Sequence, residues 1–202
     1  MGIAEAKKYV RELHKKQNNP YLWPDYLTGL PDKAAVLDRL EHILPKIGKY
    51  SVAYVRIGNV QPYLIKYGPN RHADIIQWAA AVLKTTADRC ANGFAGTLGT
   101  HDFMVVCESN ALQKLMAEAS RMFDAKMREF YSDADLARQA TISLKKNNSH
   151  DFKFGLMRLI YVVSDRKMPL KKSDLVLRMA KECDALETSS ERSTTLKETM
   201  FC

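Results

Sequence analysis

The sequence predicts an α/β chain of the α+β kind, a single mixed sheet with helices packed on it. Segments with the period-two alternation of strands take turns with segments of helical apolar periodicity. Hairpins interrupt that alternation, which argues against a doubly wound parallel sheet. No internal repeat is present, so a solenoid is excluded.

Taken in order, residues 4–17 form a short amphipathic helix with Ala6, Val10 and Leu13 on one side. Asn18-Asn19-Pro20 stops it, and a new unit begins at Trp23-Pro24. From Asp32 a helix runs to about Leu44 on the stripe Val36, Leu37, Leu40, Ile43 and Leu44. Residues 50–57, YSVAYVRI, alternate and are rich in β-formers, which makes them a strand. A helical region follows, broken at Gly68-Pro69 and resumed from about Arg71 to Ala87. Phe94–Leu98 and Phe103–Cys107 are short strands about a Gly99-Thr100-His101 turn, and a periodic helix from Leu112 to Phe123 comes next. Ala140–Leu144 and Phe152–Val163 read as two extended pieces joined by a polar turn. Ser173 is positioned to cap a last helix that buries Leu175, Met179, Cys183 and Leu186. The tail from Ser189 is polar and is expected to fray.

With 202 residues, 46% of them hydrophobic and 27% charged, the chain can bury a full core. No stretch approaches the length of a membrane span, and MGIAEAKKYVRELHKK has no apolar centre for a secretory signal, so a cytoplasmic protein is expected. Cys90, Cys107, Cys183 and Cys202 include no C-x-x-C pair and the five histidines no H-x-x-x-H pair. Neither a structural metal nor a cofactor is therefore expected. The net charge of +8 is spread over small clusters such as Lys145-Lys146, without a run of Arg and aromatic residues. A solvated basic surface explains it better than nucleic-acid binding, and it also suits an anionic small ligand.

Asp25-Tyr26-Leu27-Thr28-Gly29-Leu30-Pro31-Asp32-Lys33 resembles the D-x-L-T-G-L-P-N-R segment that opens GGDEF domains, agreeing at seven of nine positions. FKFGLMRLIYVV at 152–163 is similar to the family's penultimate strand region, and Leu98-Gly99-Thr100-His101-Asp102-Phe103 falls where the R-x-G-G-D-E-F hairpin belongs. The resemblance implies a central sheet of about five strands around a β-α-β-β-α-β core, the palm of polymerases and adenylyl cyclases. It divides the chain into an N-terminal helical extension (1–22), a GGDEF-like domain (23–188) and a polar tail (189–202).

Active members of that family join two GTP molecules into cyclic di-GMP, with metal ions held by acidic residues. On this alignment the first metal-binding aspartate is Arg56 and the second is Gly58. The guanine-reading asparagine is Leu64, its acidic partner is Ala73 with Asp74 one residue out of register, and the phosphate lysine is Thr188. The signature itself is degenerate: Gly99, Thr100, His101, Asp102 and Phe103, with a carboxylate only at Asp102. The resemblance thus implies a chain that is not an enzyme. His101 and Asp102, adjacent on a strand, point to opposite faces and are not expected to cooperate.

The family's inhibitory R-x-x-D site corresponds to Arg89-Cys90-Ala91-Asn92, helped by Arg121 on the following helix. Those residues are the candidate ligand site. Cyclic di-GMP is the expected ligand, and a signalling protein is the expected partner of a bacterial effector. The alternative is a nucleotide-independent interaction module, a scaffold or adaptor. Trp23, Tyr63, Tyr67 and Trp78 are its candidate aromatic anchors.

Overall fold

A computed structural model describes residues 2–16, 25–146 and 149–197. It begins with helix α1 (Gly2–Lys16) and helix α2 (Lys33–Ile43). Strand β1 (Tyr50–Gly58) leads through α3 (Val60–Tyr67) and α4 (His72–Ala87) to the hairpin strands β2 (Phe94–Thr97) and β3 (Asp102–Glu108). Helices α5 (Ser109–Met127) and α6 (Asp133–Arg138) precede β4 (Ile142–Lys146), β5 (Ser149–Phe154) and β6 (Arg158–Ser164). Helix α7 (Lys172–Glu187) and strand β7 (Ser193–Thr195) complete the order.

Five strands make a mixed central sheet in the order β2-β3-β1-β6-β7, and β4 and β5 form a separate two-stranded hairpin. Strand β1 is central because it offers apolar residues to both faces. It pairs antiparallel with β3, Arg56 opposite Asp102, and antiparallel with β6, Arg56 opposite Ile160. One face of the sheet packs against α4 and α5, the other against α2 and α7. Eleven of the sixteen α4 residues are buried, among them Ala79, Ala80 and Ala81. A helix apolar all round must be covered on both sides. Here the sheet covers one side and α1 the other, with Ala6 and Leu13 buried in the joint core.

The D-x-L-T-G-L-P segment is a turn that satisfies its own backbone. The Asp25 carboxylate accepts the Thr28 backbone N–H at 2.8 Å and its hydroxyl at 2.6 Å, and the Gly29 N–H reaches the Asp25 carbonyl at 2.7 Å. Gly29 sits at φ +68°, where a side chain is strained. Asp32 caps α2 through the Ala35 N–H at 3.0 Å, and the Pro31 carbonyl takes the Thr97 N–H, which fixes the turn to β2.

Three expectations are corrected. Residues 152–163 are not one extended piece: the chain leaves β5 at Gly155 and enters the other sheet at Arg158, while the Met157 N–H donates to the Tyr131 hydroxyl at 2.8 Å. The polar stretch after Ser189 does not fray throughout, because β7 pairs in parallel with β6 and Leu196 is buried. Helix α7 starts at Lys172, so Ser173 lies inside it, and Lys171 stands at the cap without a side-chain hydrogen bond.

Candidate functional site

Three elements bring charge together at the end of β1. The Arg56 Nε donates to the Asp102 carboxylate of β3 at 2.7 Å, and its Nη1 donates to Asp184 of α7, with Glu187 at 3.9 Å. The Arg56 side chain is 16% exposed and lies over the Tyr54 ring. Burial alone would depress its basicity, but the hydrogen bonds to Asp102 and Asp184 outweigh that and push it further up. One guanidinium is thus shared among three carboxylates from two elements. Asn59, in the left-handed region at φ +61°, extends the link: its backbone N–H reaches Glu187 at 3.3 Å and its amide the Leu156 carbonyl at 3.1 Å.

The hairpin that carries Asp102 is docked beside this cluster. The His101 carbonyl accepts the Ile57 N–H at 3.0 Å, and Leu98 N–H closes the turn on the Asp102 carbonyl at 2.8 Å. The His101 ring turns away from Asp102 toward α4, where its Nε2 lies 2.6 Å from that of His72. One of the two nitrogens holds the shared proton and the other accepts it. Burial, then the neighbouring His72 and Arg56, hold the His101 imidazole below its ordinary value. Next to the cluster, between α3, α5, the β5–β6 connection and the end of α7, opens a cavity of about 920 Å³. Its rim carries Arg128, Lys153, Arg158 and Arg192. Arg192 is paired with Asp124, and Arg158 is committed to the carbonyls of Leu186, Ser189 and Ser190.

The opposite end of the molecule holds Arg89, in the turn after α4. Its Nη1 donates to Glu118 of α5 at 2.5 Å and its Nη2 to Glu5 of α1 at 2.6 Å. Asn92, at φ +58°, directs its amide to the Tyr50 hydroxyl at 3.4 Å and gives its carbonyl to Arg39 of α2. Arg121 lies three residues beyond Glu118 on α5 and is exposed.

Several solved structures share this architecture. The coiled coil and GGDEF domain of DgcB from Caulobacter crescentus, in complex with c-di-GMP, superposes with a TM-score of 0.59 at 17% identity over 96% of each chain. The diguanylate cyclase SiaD from Pseudomonas aeruginosa, in complex with its activator SiaC, gives 0.60 at 14% identity over 94% of this chain and 67% of that one. The FimX GGDEF domain from Pseudomonas aeruginosa gives 0.55 at 12% identity over 85% of this chain and 98% of that one. The chain has the fold of a GGDEF domain. No protein-family model and no curated protein matches its sequence.

The residues that the resemblance aligns with the signature hairpin, Gly99, Thr100, His101, Asp102 and Phe103, lie at the turn between β2 and β3 and the start of β3. Phe103 is fully buried, His101 is held by His72, and Asp102 is held by Arg56. These residues do not fit the dication that the resemblance implies at the end of β1. A fixed cation already stands among the carboxylates, and no group of three or more metal-ligating side chains converges among the described residues. Gly58 abuts Ile160, Asp74 is engaged by Arg71, and the Thr188 hydroxyl turns to the Ala185 carbonyl.

The structure does not gather Arg89, Asn92 and Arg121 into one pocket. Arg89 and Arg121 share the α5 side, whereas the Asn92 side chain faces β1. Of the candidate aromatic anchors, Tyr63 and Trp78 are core, Tyr67 is half-buried, and Trp23 lies outside the described residues. Sequence reasoning missed His72, Asp184, Glu187 and Glu5. The i,i+3 spacing of Asp184 and Glu187 around the buried Cys183 and Leu186 is the only local signal that they share a face near the sheet.

Proposed function

We propose that the chain is a non-catalytic signalling module of GGDEF fold, a cytoplasmic cyclic di-GMP receptor that reads its ligand at the Arg89–Arg121 edge and acts through a protein partner. The observation that carries the non-catalytic reading is the Arg56 guanidinium bonded to Asp102 and Asp184. Phosphoryl transfer needs cations placed on the charge that develops as pyrophosphate leaves. Here the side chain at that strand end is a cation that repels a metal ion, and two α7 carboxylates add negative charge beside it. No helix among the described residues is long and apolar enough to cross a membrane.

Two facts support the receptor reading. Structures of this fold are described in complex with c-di-GMP. Arg89 and Arg121 are both exposed, and a guanidinium can bond phosphate bidentately and stack on a guanine. A second reading, the nucleotide-independent interaction module, is favoured by one specific observation: Glu5 and Glu118 already neutralise Arg89. SiaD, solved with its activator SiaC, is a precedent for a protein partner on this fold.

Calorimetry with cyclic di-GMP separates the two readings. Binding that weakens about tenfold to hundredfold in both Arg89→Ala and Arg121→Ala supports the receptor. No heat at millimolar ligand leaves the interaction module as the answer. Incubation with GTP and Mg²⁺ or Mn²⁺ is expected to yield no cyclic di-GMP, and product that disappears in Asp102→Ala would overturn the non-catalytic reading.

A further inference from the structure

Helix α1 meets the rest of the chain on a narrow apolar strip and at two polar points. The strip is Ala6 and Leu13, fully buried, with Ile3 and Val10 partly so. One polar point is the Tyr9 hydroxyl, which donates to the Thr28 carbonyl at 3.0 Å. The other is the bond from Arg89 to Glu5. The start of α1 is pressed onto that guanidinium: a Cβ added to Gly2 would stand 2.8 Å from Arg89 Nη2, 2.9 Å from Met122 Sδ and 3.2 Å from Glu118 Oε1. Helix α1 thus covers one side of the guanidinium.

The charges around this contact are mutually dependent. Glu5 and Glu118 approach each other only because Arg89 lies between them, one carboxylate on each terminal nitrogen. If a phosphate takes the outer nitrogen, Glu5 loses its partner and faces both the phosphate and Glu118. Like charges at that separation repel. The partly exposed Glu5–Arg89 pair adds a modest share to the apolar docking of α1 on α4, and losing it shifts α1 toward the undocked state.

We propose that α1 is a displaceable latch, closed by Glu5 on Arg89 and opened when a phosphate-bearing ligand takes Arg89 in its place. The opened state exposes the outer face of α4 and the apolar stripe of α1. The identity of the ligand rests on the receptor reading above; the latch itself rests on the Glu5–Arg89–Glu118 contact. While closed, the latch also weakens apparent affinity, because only the open fraction binds.

Amide exchange along α1, measured in the full chain with and without cyclic di-GMP, tests both parts. Glu5→Gln is expected to speed exchange of residues 3–13 severalfold without ligand, while α4 and β1 exchange as in the wild type. Glu5→Asp, which keeps the charge, is expected to lie between the two. Ligand added to the wild type is expected to loosen α1 in the same way, and Glu5→Gln to bind about fivefold tighter or more. If α1 exchange in Glu5→Gln matches the wild type, the latch is overturned whatever the ligand does. If the ligand binds but neither loosens α1 nor binds Glu5→Gln more tightly, the latch is overturned and the receptor reading stands. If Glu5→Gln loosens α1 but millimolar ligand does not bind, the receptor reading and ligand-driven opening both fail.

Discussion

Replacing Arg56 by alanine removes the one cation that Asp102, Asp184 and Glu187 share, and the cost can be worked from their exposure. Breaking a fully buried ion pair on one side loses about 3–5 kcal/mol. Arg56 is 16% and Asp102 26% exposed, so water can recover part of the stranded carboxylate and about 2–3 kcal/mol is expected from this pair. Asp184 is 66% exposed and adds less than about 1 kcal/mol. A total of about 3 kcal/mol lowers the melting temperature of a chain of this size by roughly 6–12 °C. Most of the loss is the stranded charge of Asp102. The double variant Arg56→Ala/Asp102→Asn should therefore be less damaged than the sum of its parts, by about 1–3 kcal/mol. The same logic predicts rescue by a dication: about 10 mM Mg²⁺ binding with Kd near 1 mM returns about 1.4 kcal/mol to Arg56→Ala and nothing to the wild type. Thermal melts of the wild type, Arg56→Ala, Asp102→Asn and the double variant, with and without Mg²⁺, are the assay. An Arg56→Ala protein that melts within about 2 °C of the wild type, an additive cycle, or equal Mg²⁺ shifts in both proteins would refute the idea that Arg56 stands in for a metal ion.

Two further predictions concern ionisable groups. The Asp135 carboxylate is buried against Lys66, Tyr67 and Arg138; burial opposes its ionisation, but those three donors bring it down to about 2. A depressed carboxylate stabilises the fold above its ordinary value of 3.8 and loses that contribution as pH falls toward 2. Asp135→Ala should lose about 2–3 kcal/mol at pH 7 and lack this acid limb, and an unchanged limb in denaturant titrations would contradict the assignment. His101 resists protonation in the fold, so stability should decline as pH falls below its ordinary value of 6.5. His101→Gln should flatten that decline, and a profile identical to the wild type would show that the His72–His101 pair is not its source.

The fold was legible wherever a local pattern was also the global one. Strand β1 read correctly because its β-formers serve a strand covered on both faces, and the opening turn because Asp25, Thr28 and Gly29 satisfy each other locally. The split between β5 and β6 was hidden because Gly155-Leu156-Met157 interrupts an otherwise continuous apolar run, and what ends it is a hydrogen bond from residue 157 to Tyr131. Strand β7 is three polar residues, Ser193–Thr195, with no pattern of its own; its position is set by the free edge of β6. The site divides in the same way. An arginine near the end of YSVAYVRI was conspicuous, but Asp184 and Glu187 lie more than a hundred positions away, and only the packing of α7 on the sheet brings them to Arg56. Glu5 and Arg89 are separated by 84 positions, which no periodicity could connect.

The proposed loss of catalysis differs from simple decay, and the distinction is physical. A site that had merely lost its ligands would leave polar atoms stranded where charge was once balanced by metal and phosphate, each at a cost of about 1–3 kcal/mol. The buried side-chain atoms without a partner among the described residues are Arg39 Nε, Trp78 Nε1, Ser120 Oγ, Ser164 Oγ and Asp165 Oδ1, and none belongs to the former metal-site position or the hairpin. Instead the polar side chains there have specific partners: Asp102 takes Arg56, His101 takes His72, and Thr188 turns to the Ala185 carbonyl. The guanidinium ties β1, β3 and α7 together by neutralising Asp102 and Asp184, and it cannot dissociate. On the proposed reading, the edge where α1 closes on Arg89 is where a ligand acts.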